Sequence, residues 1–116
     1  MTEPTGPAGM SSDADLQPSF EVCPGSEQHA ATVRAAGDID LMSAGQLQAA
    51  LTEAAGTASE ITADMTAVTY CDSAGIRVLF TTARSSRLTV ILPASGPITT
   101  MVRLAGLDQV ATVVIQ

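Results

Sequence analysis

The stretch ITADMTAVTYCDSAGI, residues 61–76, changes from strand to helix character within a few residues. Every second residue from Ile61 to Met65 is apolar, a spacing typical of a strand with one buried face. From Ile76 onward the apolar residues recur at the i, i+3, i+4 and i+7 positions of an amphipathic helix. The polar run between the two patterns places Ser73 at or beside the helix N-cap. This stretch therefore predicts a strand, a tight turn and a helix in succession.

The same two patterns recur on both sides of this stretch. In chain order they predict a hairpin over residues 20–36 whose second strand is 29–36, a helix over 43–55, a strand over 60–68, a helix after Gly75, a strand over 88–92, a helix that Pro97 opens and Gly106 closes, and a strand over 110–115. The order β-β-α-β-α-β-α-β indicates one α/β domain, with a mixed β-sheet and amphipathic helices.

Local signals refine the first half of the domain. Gly37 is predicted to end the second strand, so that Gly37-Asp38-Ile39-Asp40 forms a polar connection to the first helix. Ser43, followed three residues later by Gln46, fits a capping box. Gly56 is placed where a helix C-terminus would stop.

Composition excludes several classes of function. The chain has 116 residues, of which 46% are hydrophobic, and a net charge of −7. Its five basic residues are scattered arginines, so a basic face for nucleic acid or an anionic membrane is not expected. No apolar run is long enough to span a bilayer. The expectation is one domain over residues 19–116, monomeric when free.

The N-terminal residues 1–18 are rich in Pro, Gly, Ser, Thr and acidic residues and are predicted to form a disordered tail. This tail has neither the basic residue nor the apolar core of a signal peptide, so the protein is expected to be cytoplasmic. Cys23 and Cys71 then remain thiols, and Cys71 is expected to be a small buried hydrophobe.

The run Asp72-Ser73-Ala74-Gly75-Ile76 is the most distinctive polar spot, and two interpretations of it stay open. Asp and Ser are favoured helix caps, and the carboxyl end of a strand is also where α/β proteins collect reactive groups. A serine hydrolase is disfavoured, because Cys71 occupies the position where a nucleophile elbow has Gly. The one histidine, His29, lies far upstream and is expected to be an exposed residue at a strand start.

Other chemistry has weaker support in the sequence. The segment with Asp38 and Asp40 is either a turn with solvated acidic residues or an acidic loop beside Ser73 at the same sheet edge. A third ligand at a defined spacing is missing, so no metal site is predicted. No glycine-rich phosphate loop is present, and no cofactor is expected. Arg77, Arg84 and Arg87 are expected to form a solvated helical face.

Three stretches in register resemble the STAS domain of bacterial anti-sigma factor antagonists. Gly37-Asp38-Ile39-Asp40 is similar to the family's Gly-Glu-Leu-Asp loop, and residues 61–76 resemble its strand-loop-helix with an Asp-Ser-[Ser/Thr/Ala]-Gly-[Leu/Ile] centre. Leu104 to Asp108 resembles its late Leu-x-Gly-Leu segment. The resemblance extends over roughly residues 19–116. Cys71 stands where a bulkier apolar residue is common in the family.

The resemblance implies a mechanism of partner switching. Such antagonists are not enzymes; they bind an anti-sigma factor that is also a serine kinase, and so free a sigma factor for transcription, often in a stress response. The kinase phosphorylates the antagonist with its own ATP and magnesium, and a separate serine phosphatase reverses this. By motif position the phosphoacceptor is Ser73. The implied partner-binding residues are Asp40, Asp72, Ser73, Ala74, Gly75 and Ile76.

The alternative is a STAS scaffold or an accessory subunit of a signalling or transport complex. In that case Ser73 would serve as a helix cap, with no phosphorylation switch.

Overall fold

The computed structural model describes residues 17–116, and these form a two-layer α/β fold. The predicted tail, residues 1–18, lies outside the described residues except for Gln17 and Pro18. In chain order the elements are β1 (Ser19–Cys23), β2 (Ala31–Ile39), α1 (Ala44–Ala55), β3 (Glu60–Cys71), α2 (Ser73–Ser85), β4 (Arg87–Leu92), α3 (Pro97–Ala105), a short 3-10 helix (Leu107–Gln109) and β5 (Thr112–Ile115). The predicted α/β class and β-β-α-β-α-β-α-β order are confirmed.

The five strands form one mixed sheet in the order β1-β2-β3-β4-β5. β1 pairs antiparallel with β2 as the predicted hairpin, and the other three pairings are parallel. Parallel neighbours bring the carboxyl ends of β2, β3 and β4 to a single sheet edge. The residues that follow β2 and β3 therefore meet in space, although about thirty positions separate them in the chain.

The core is one cluster that joins the three helices to alternate residues of the strands. The predicted stripe of α1 is buried in full: Leu47, Ala50, Leu51 and Ala54. In β2 the odd-numbered residues from Ala31 to Ile39 are buried, and the even-numbered ones are more exposed. Aliphatic side chains, one methionine and Cys71 fill this core, consistent with a chain that has only 3% aromatic residues.

Several predicted boundaries are wrong, and the largest error concerns Gly37. The second strand continues through Gly37 to Ile39, so most of the expected loop is strand. Gly37 has a φ of 85° at a shift in register, a conformation that glycine adopts readily. β3 is longer than predicted for a related reason, because its last residues pair with this extension of β2.

The other differences lie at element ends. The predicted capping box at Ser43 is not formed, because its side chain bonds to Asp40 instead of capping α1. Gly56 follows α1 as predicted, but with helical dihedrals rather than a left-handed cap. The 3-10 helix shortens the last strand to Thr112–Ile115. Gly106 closes α3, as the sequence predicts, and it does so in the left-handed conformation.

Among residues 17–116, no helix has both the length and the apolar character needed to cross a membrane.

Candidate functional site

The candidate site lies at the carboxyl edge of β2 and β3, where two polar turns begin side by side. Ile39 and Cys71 are register partners at the ends of these strands. The backbone N–H of Asp72 donates to the carbonyl oxygen of Ile39 at 3.0 Å. Asp40 and Asp72 are the next residues of their chains, so the fold brings these two predicted site residues to the same edge.

Two bulges in β3 create this alignment. From the pair Ala31–Ile61 to the pair Ile39–Cys71, β2 advances by eight residues and β3 by ten. The shifts fall between Arg34 and Ala36 and at Gly37. Each bulge adds one unpaired residue to β3. Without them Asp72 would lie three positions beyond Ile39, the end of β2, and not level with Asp40.

Asp72 is the N-cap of α2, and Ser73 is the first residue of the helix. The Asp72 carboxylate accepts hydrogen bonds from the backbone N–H of Ala74 at 2.9 Å and of Gly75 at 3.4 Å. Ser73 is exposed, and its hydroxyl forms no hydrogen bond to the part of the chain that the structure describes. The helix is capped by its neighbour, so the Ser73 hydroxyl is not needed for capping.

The remaining residues of this motif are less accessible. Ala74 is half-buried, whereas Gly75 and Ile76 are buried. A Cβ atom at Gly75 would collide with the Cys71 sulfur and lie 2.9 Å from Cγ2 of Ile39. Gly75 therefore allows α2 to approach the ends of β2 and β3 closely.

The second turn of the site runs from Asp40 to Ser43. The Asp40 carboxylate Oδ1 accepts from the Ser43 backbone N–H at 3.0 Å and from the Ser43 hydroxyl at 3.1 Å. The Asp40 backbone N–H donates to the Ser43 Oγ at 2.9 Å. Asp40 itself is exposed, and these bonds fix its position at the surface. Ser43 is only 4% exposed and is therefore structural.

Carboxylates also line the adjoining part of the edge. Asp38 is paired with Tyr70 across the strands, and its Oδ1 accepts a hydrogen bond from the hydroxyl of Thr69, the residue at the second bulge. With Asp40 and Asp72, Asp38 makes the edge around Ser73 negative. The acidic loop that the sequence suggests is therefore a loop only at Asp40, because Asp38 belongs to β2.

Cys71 is fully buried beneath this edge. Burial raises the pKa of its thiol from 9.0 to about 12, and the negative charge of Asp72 adds to the effect. A thiol that keeps its proton is a poor nucleophile. The structure thus confirms Cys71 as a small core residue, and neither cysteine of the described chain is in a disulfide.

Sequence reasoning did not select two exposed apolar residues of this site. Leu41 and Met42 follow Asp40 directly and are 75% and 86% exposed. Met42 and Asp40 line an open groove of about 430 Å³ that also includes Asp38, Ser43 and Gln46. The available signal was the position of Leu41 and Met42 in a turn, outside the buried stripe of α1.

His29 cannot serve as a base for Ser73. It is exposed and lies just before β2, at the amino ends of the parallel strands. Ser73 is at the carboxyl ends, and eight residues of β2 extend over about 26 Å. Among residues 17–116, no group of three His, Cys, Asp or Glu side chains is placed to hold a metal ion.

A wider cleft lies at the opposite edge of the sheet. It has a volume of about 520 Å³ and is lined by residues such as Glu60, Arg87 and Asp108. Its walls are mostly polar, and Arg87 and Glu60 pair with each other there at 3.3 Å. It shares no residue with the Ser73 site or with the groove beside Asp40.

Comparison with known proteins places this arrangement in a family. A family model described as "Mlab, STAS domain" matches residues 24–115. An anti-sigma factor antagonist from Mycobacterium paratuberculosis has a similar structure, with a TM-score of 0.73, 20% identity, and coverage of 84% of this chain and 86% of that one. No curated protein matches the sequence.

The antagonist SpoIIAA has the same fold in both of its states. Its unphosphorylated form has a TM-score of 0.64 and 16% identity, over 82% of this chain and 87% of SpoIIAA. The phosphorylated form, from Bacillus, has a TM-score of 0.55 and 18% identity, over 82% and 90%. At 16–20% identity, the similarity to these solved structures shows a shared fold and nothing more.

Proposed function

We propose that this chain, which belongs to the STAS-domain family by the match over residues 24–115, is an anti-sigma factor antagonist regulated at Ser73. In this proposal the unphosphorylated protein binds an anti-sigma factor that has serine kinase activity. Phosphorylation of Ser73 by that kinase releases the partner, and a serine phosphatase restores binding. The protein acts by binding and not as an enzyme.

The accessibility of Ser73 is the observation that carries this proposal. The hydroxyl is exposed and free of hydrogen bonds to the described residues, while Asp72 supplies the cap of α2. A kinase can therefore reach the oxygen without opening the fold. A phosphate on Ser73 would also be compatible with the fold, since a negative group is tolerated at a helix N-terminus.

A phosphate at Ser73 would change the surface strongly. It adds about 1.5 to 2 negative charges at neutral pH. Asp72 is adjacent in the chain, and Asp40 lies at the same edge, so the new charge enters an already acidic region. A charge that loses water at an interface without a counter-charge costs several kcal/mol, enough to weaken binding by two orders of magnitude or more.

The proposed partner surface combines this charge with apolar contacts. We place Asp40, Asp72, Ser73 and Ala74 at its centre. Leu41 and Met42 add exposed apolar area next to Asp40. The buried Gly75 and Ile76 support the surface from beneath by holding α2 in place.

Paired pull-downs from extract of the native cell test the proposal. Ser73→Ala mimics the unphosphorylated serine, and Ser73→Asp adds part of the phosphate charge. We expect the Ala form to retain a kinase-containing partner and the Asp form to lose at least nine-tenths of it. Ser59→Asp is the matched control, because Ser59 is exposed just before β3, at the opposite sheet edge. Equal retention by all three baits would contradict the switch.

A constitutive docking role is the second candidate, as a scaffold or an accessory subunit of a signalling or transport complex. The exposed pair Leu41 and Met42 favours it, because this apolar surface needs no phosphate to bind a partner. Here the Ser73→Ala and Ser73→Asp baits retain the same proteins, and Met42→Asp releases them. The same pull-down therefore separates the two candidates.

A further inference from the structure

A phosphate on Ser73 would need a counter-charge, because its immediate neighbours are acidic. Asp72 precedes Ser73 in the chain, and the hydrogen bond from Asp72 N–H to the Ile39 carbonyl keeps Asp40 at the same edge. Asp38 lies two residues before Asp40, within β2, and is half-buried. These three carboxylates would all repel a dianion on the Ser73 oxygen.

The backbone of α2 does not supply this counter-charge freely. The first-turn N–H groups of Ala74 and Gly75 already donate to the Asp72 carboxylate. A phosphate that took over these hydrogen bonds would displace an existing cap and gain little. A full positive charge next to the phosphate would come from a basic side chain.

Arg77 is placed to provide it. It follows Ser73 by four residues within the continuous helix α2, so the two side chains are neighbours on one helix face. Arg77 is exposed, and it forms no ion pair with any residue from 17 to 116. Its guanidinium is thus available, and its forked N–H groups match the geometry of a phosphate.

The other four arginines lie elsewhere. Arg84 follows Ser73 by eleven residues, which places it about 16 Å further along α2. Arg34 and Arg87 are each paired with a glutamate on a neighbouring strand. Arg103 is in the last turn of α3. The predicted solvated helical face holds for Arg77 and Arg84, which lie on α2, and is wrong for Arg87, which belongs to β4. Of the five arginines, Arg77 is the one next to Ser73.

We propose that Arg77 is the counter-charge that holds the phosphate of phosphorylated Ser73 against the first turn of α2. This inference rests on the proposed function, in that it concerns the phosphorylated state of Ser73. It also specifies how the switch works. The phosphate is held by its own helix, so modification changes the binding surface and leaves the fold intact.

The phosphate's own titration tests this role. Full-length protein is made with phosphoserine inserted at position 73 during translation, which needs neither the kinase nor the partner. Its phosphorus NMR signal is followed between pH 4.5 and 8 at low salt. An adjacent guanidinium favours the dianion, so we expect the second phosphate pKa to rise by about 0.4 when Arg77→Gln removes the charge.

Two controls make the result specific. Arg84→Gln removes the same charge from the same helix, far from Ser73, and should leave the phosphate pKa unchanged. Arg77→Lys keeps the positive charge and should return at least half of the shift. The difference between wild type and Arg77→Gln should also shrink in 1 M salt.

Equal phosphate pKa values in wild type and Arg77→Gln would overturn the role of Arg77, as would an equal rise in Arg84→Gln. Neither result depends on whether a cellular kinase uses Ser73. Failure of the proposed function appears instead in the pull-down, as equal retention by the Ser73→Ala and Ser73→Asp baits. The two failures are therefore distinguishable.

Discussion

The tripeptide Ser-Ala-Gly occurs twice in this chain, at residues 43–45 and 73–75, and the two copies have opposite roles. Each copy lies at the start of a helix that follows a parallel strand, at the same sheet edge. In the first copy the serine is buried and hydrogen-bonded to Asp40. In the second copy the serine is exposed, and its hydroxyl forms no hydrogen bond to residues 17–116.

The position of the preceding aspartate explains the difference. Asp72 directly precedes Ser73, so it takes the N-cap and moves the serine into the first turn. Asp40 lies three residues before Ser43, so the serine becomes the residue before α1 and turns back to the aspartate. Identical tripeptides thus give a structural serine and an accessible one. An accessible hydroxyl is what a phosphorylation switch requires.

The two glycines differ as much as the two serines. Gly45 is exposed, and a Cβ atom added there would meet no atom within 4 Å. Gly75 is buried, and an added Cβ would press on Cys71 and on Ile39. The glycine of the second copy is required by tertiary packing, whereas that of the first is not.

Replacing each glycine by alanine should give the largest difference in stability between the two copies. We expect Gly75→Ala to lower the free energy of unfolding by about 2 kcal/mol, since it overpacks the junction of α2 with the strands. Gly45→Ala, the matched control in the first turn of α1, should raise it by about 0.5 to 1 kcal/mol. Urea denaturation monitored by circular dichroism measures both.

A double variant sharpens this contrast. Cys71→Ala removes the sulfur atom that a Cβ at Gly75 would strike. In that background the additional cost of Gly75→Ala should fall to less than half, because neighbouring packing effects are not additive. An undiminished cost would assign the effect to Ile39 or to the backbone.

Alanine at each serine should give a smaller contrast in the same direction. Ser43→Ala leaves the Asp40 backbone N–H without its acceptor in a partly buried turn, so we expect a loss of about 1 kcal/mol in unfolding free energy. Ser73→Ala should stay within about 0.5 kcal/mol of wild type. Thermal melts of the two variants measure this difference. Equal losses would mean that Ser73 also has a structural role.

The residues that precede the two aspartates differ in whether they can ionise, and this affects stability only at high pH. These residues are Ile39 and Cys71, and only Cys71 can ionise. Its native pKa of about 12 exceeds the ordinary 9.0, so below pH 9 the thiol is neutral in both native and unfolded states. Between pH 9 and 12 the unfolded chain loses this proton while the native protein keeps it, so stability falls as the pH rises.

This effect should be absent at neutral pH. We expect the free energy of unfolding of wild type to decline more steeply between pH 9 and 11 than that of Cys71→Ala. Urea titrations at several pH values compare the two slopes, and parallel slopes would contradict a protected thiol. Cys23, which is only partly buried, should react with a thiol reagent at pH 8 well before Cys71 does.

Much of this site was predictable from local sequence. The alternation in residues 61–65 and the helical spacing after Ile76 predicted a strand followed directly by a helix. The preference of Asp and Ser for helix starts then placed Ser73 at the beginning of α2. These features depend on residues close in the chain, and local periodicity records them.

The turn around Ser43 was not predictable in the same way. Its sequence fits a capping box with Gln46, yet the hydroxyl bonds to Asp40. Either arrangement gives the hydroxyl of a serine near a helix start its hydrogen bonds. Whether Ser43 bonds to Asp40 or caps α1 depends on the position of Asp40 at the end of β2. The pairing of β2 with β3 determines that position.

The sequence by itself determined the α/β class, the order of the elements, the apolar stripes of the helices and the helix start at Asp72-Ser73. The tertiary structure alone decided that Asp40 lies level with Asp72, that Gly75 packs against Cys71, and that Leu41 and Met42 stay exposed. The physical reason is range. Helix and strand periods are local, whereas the two bulges of β3 depend on its packing against a strand about thirty residues earlier in the chain.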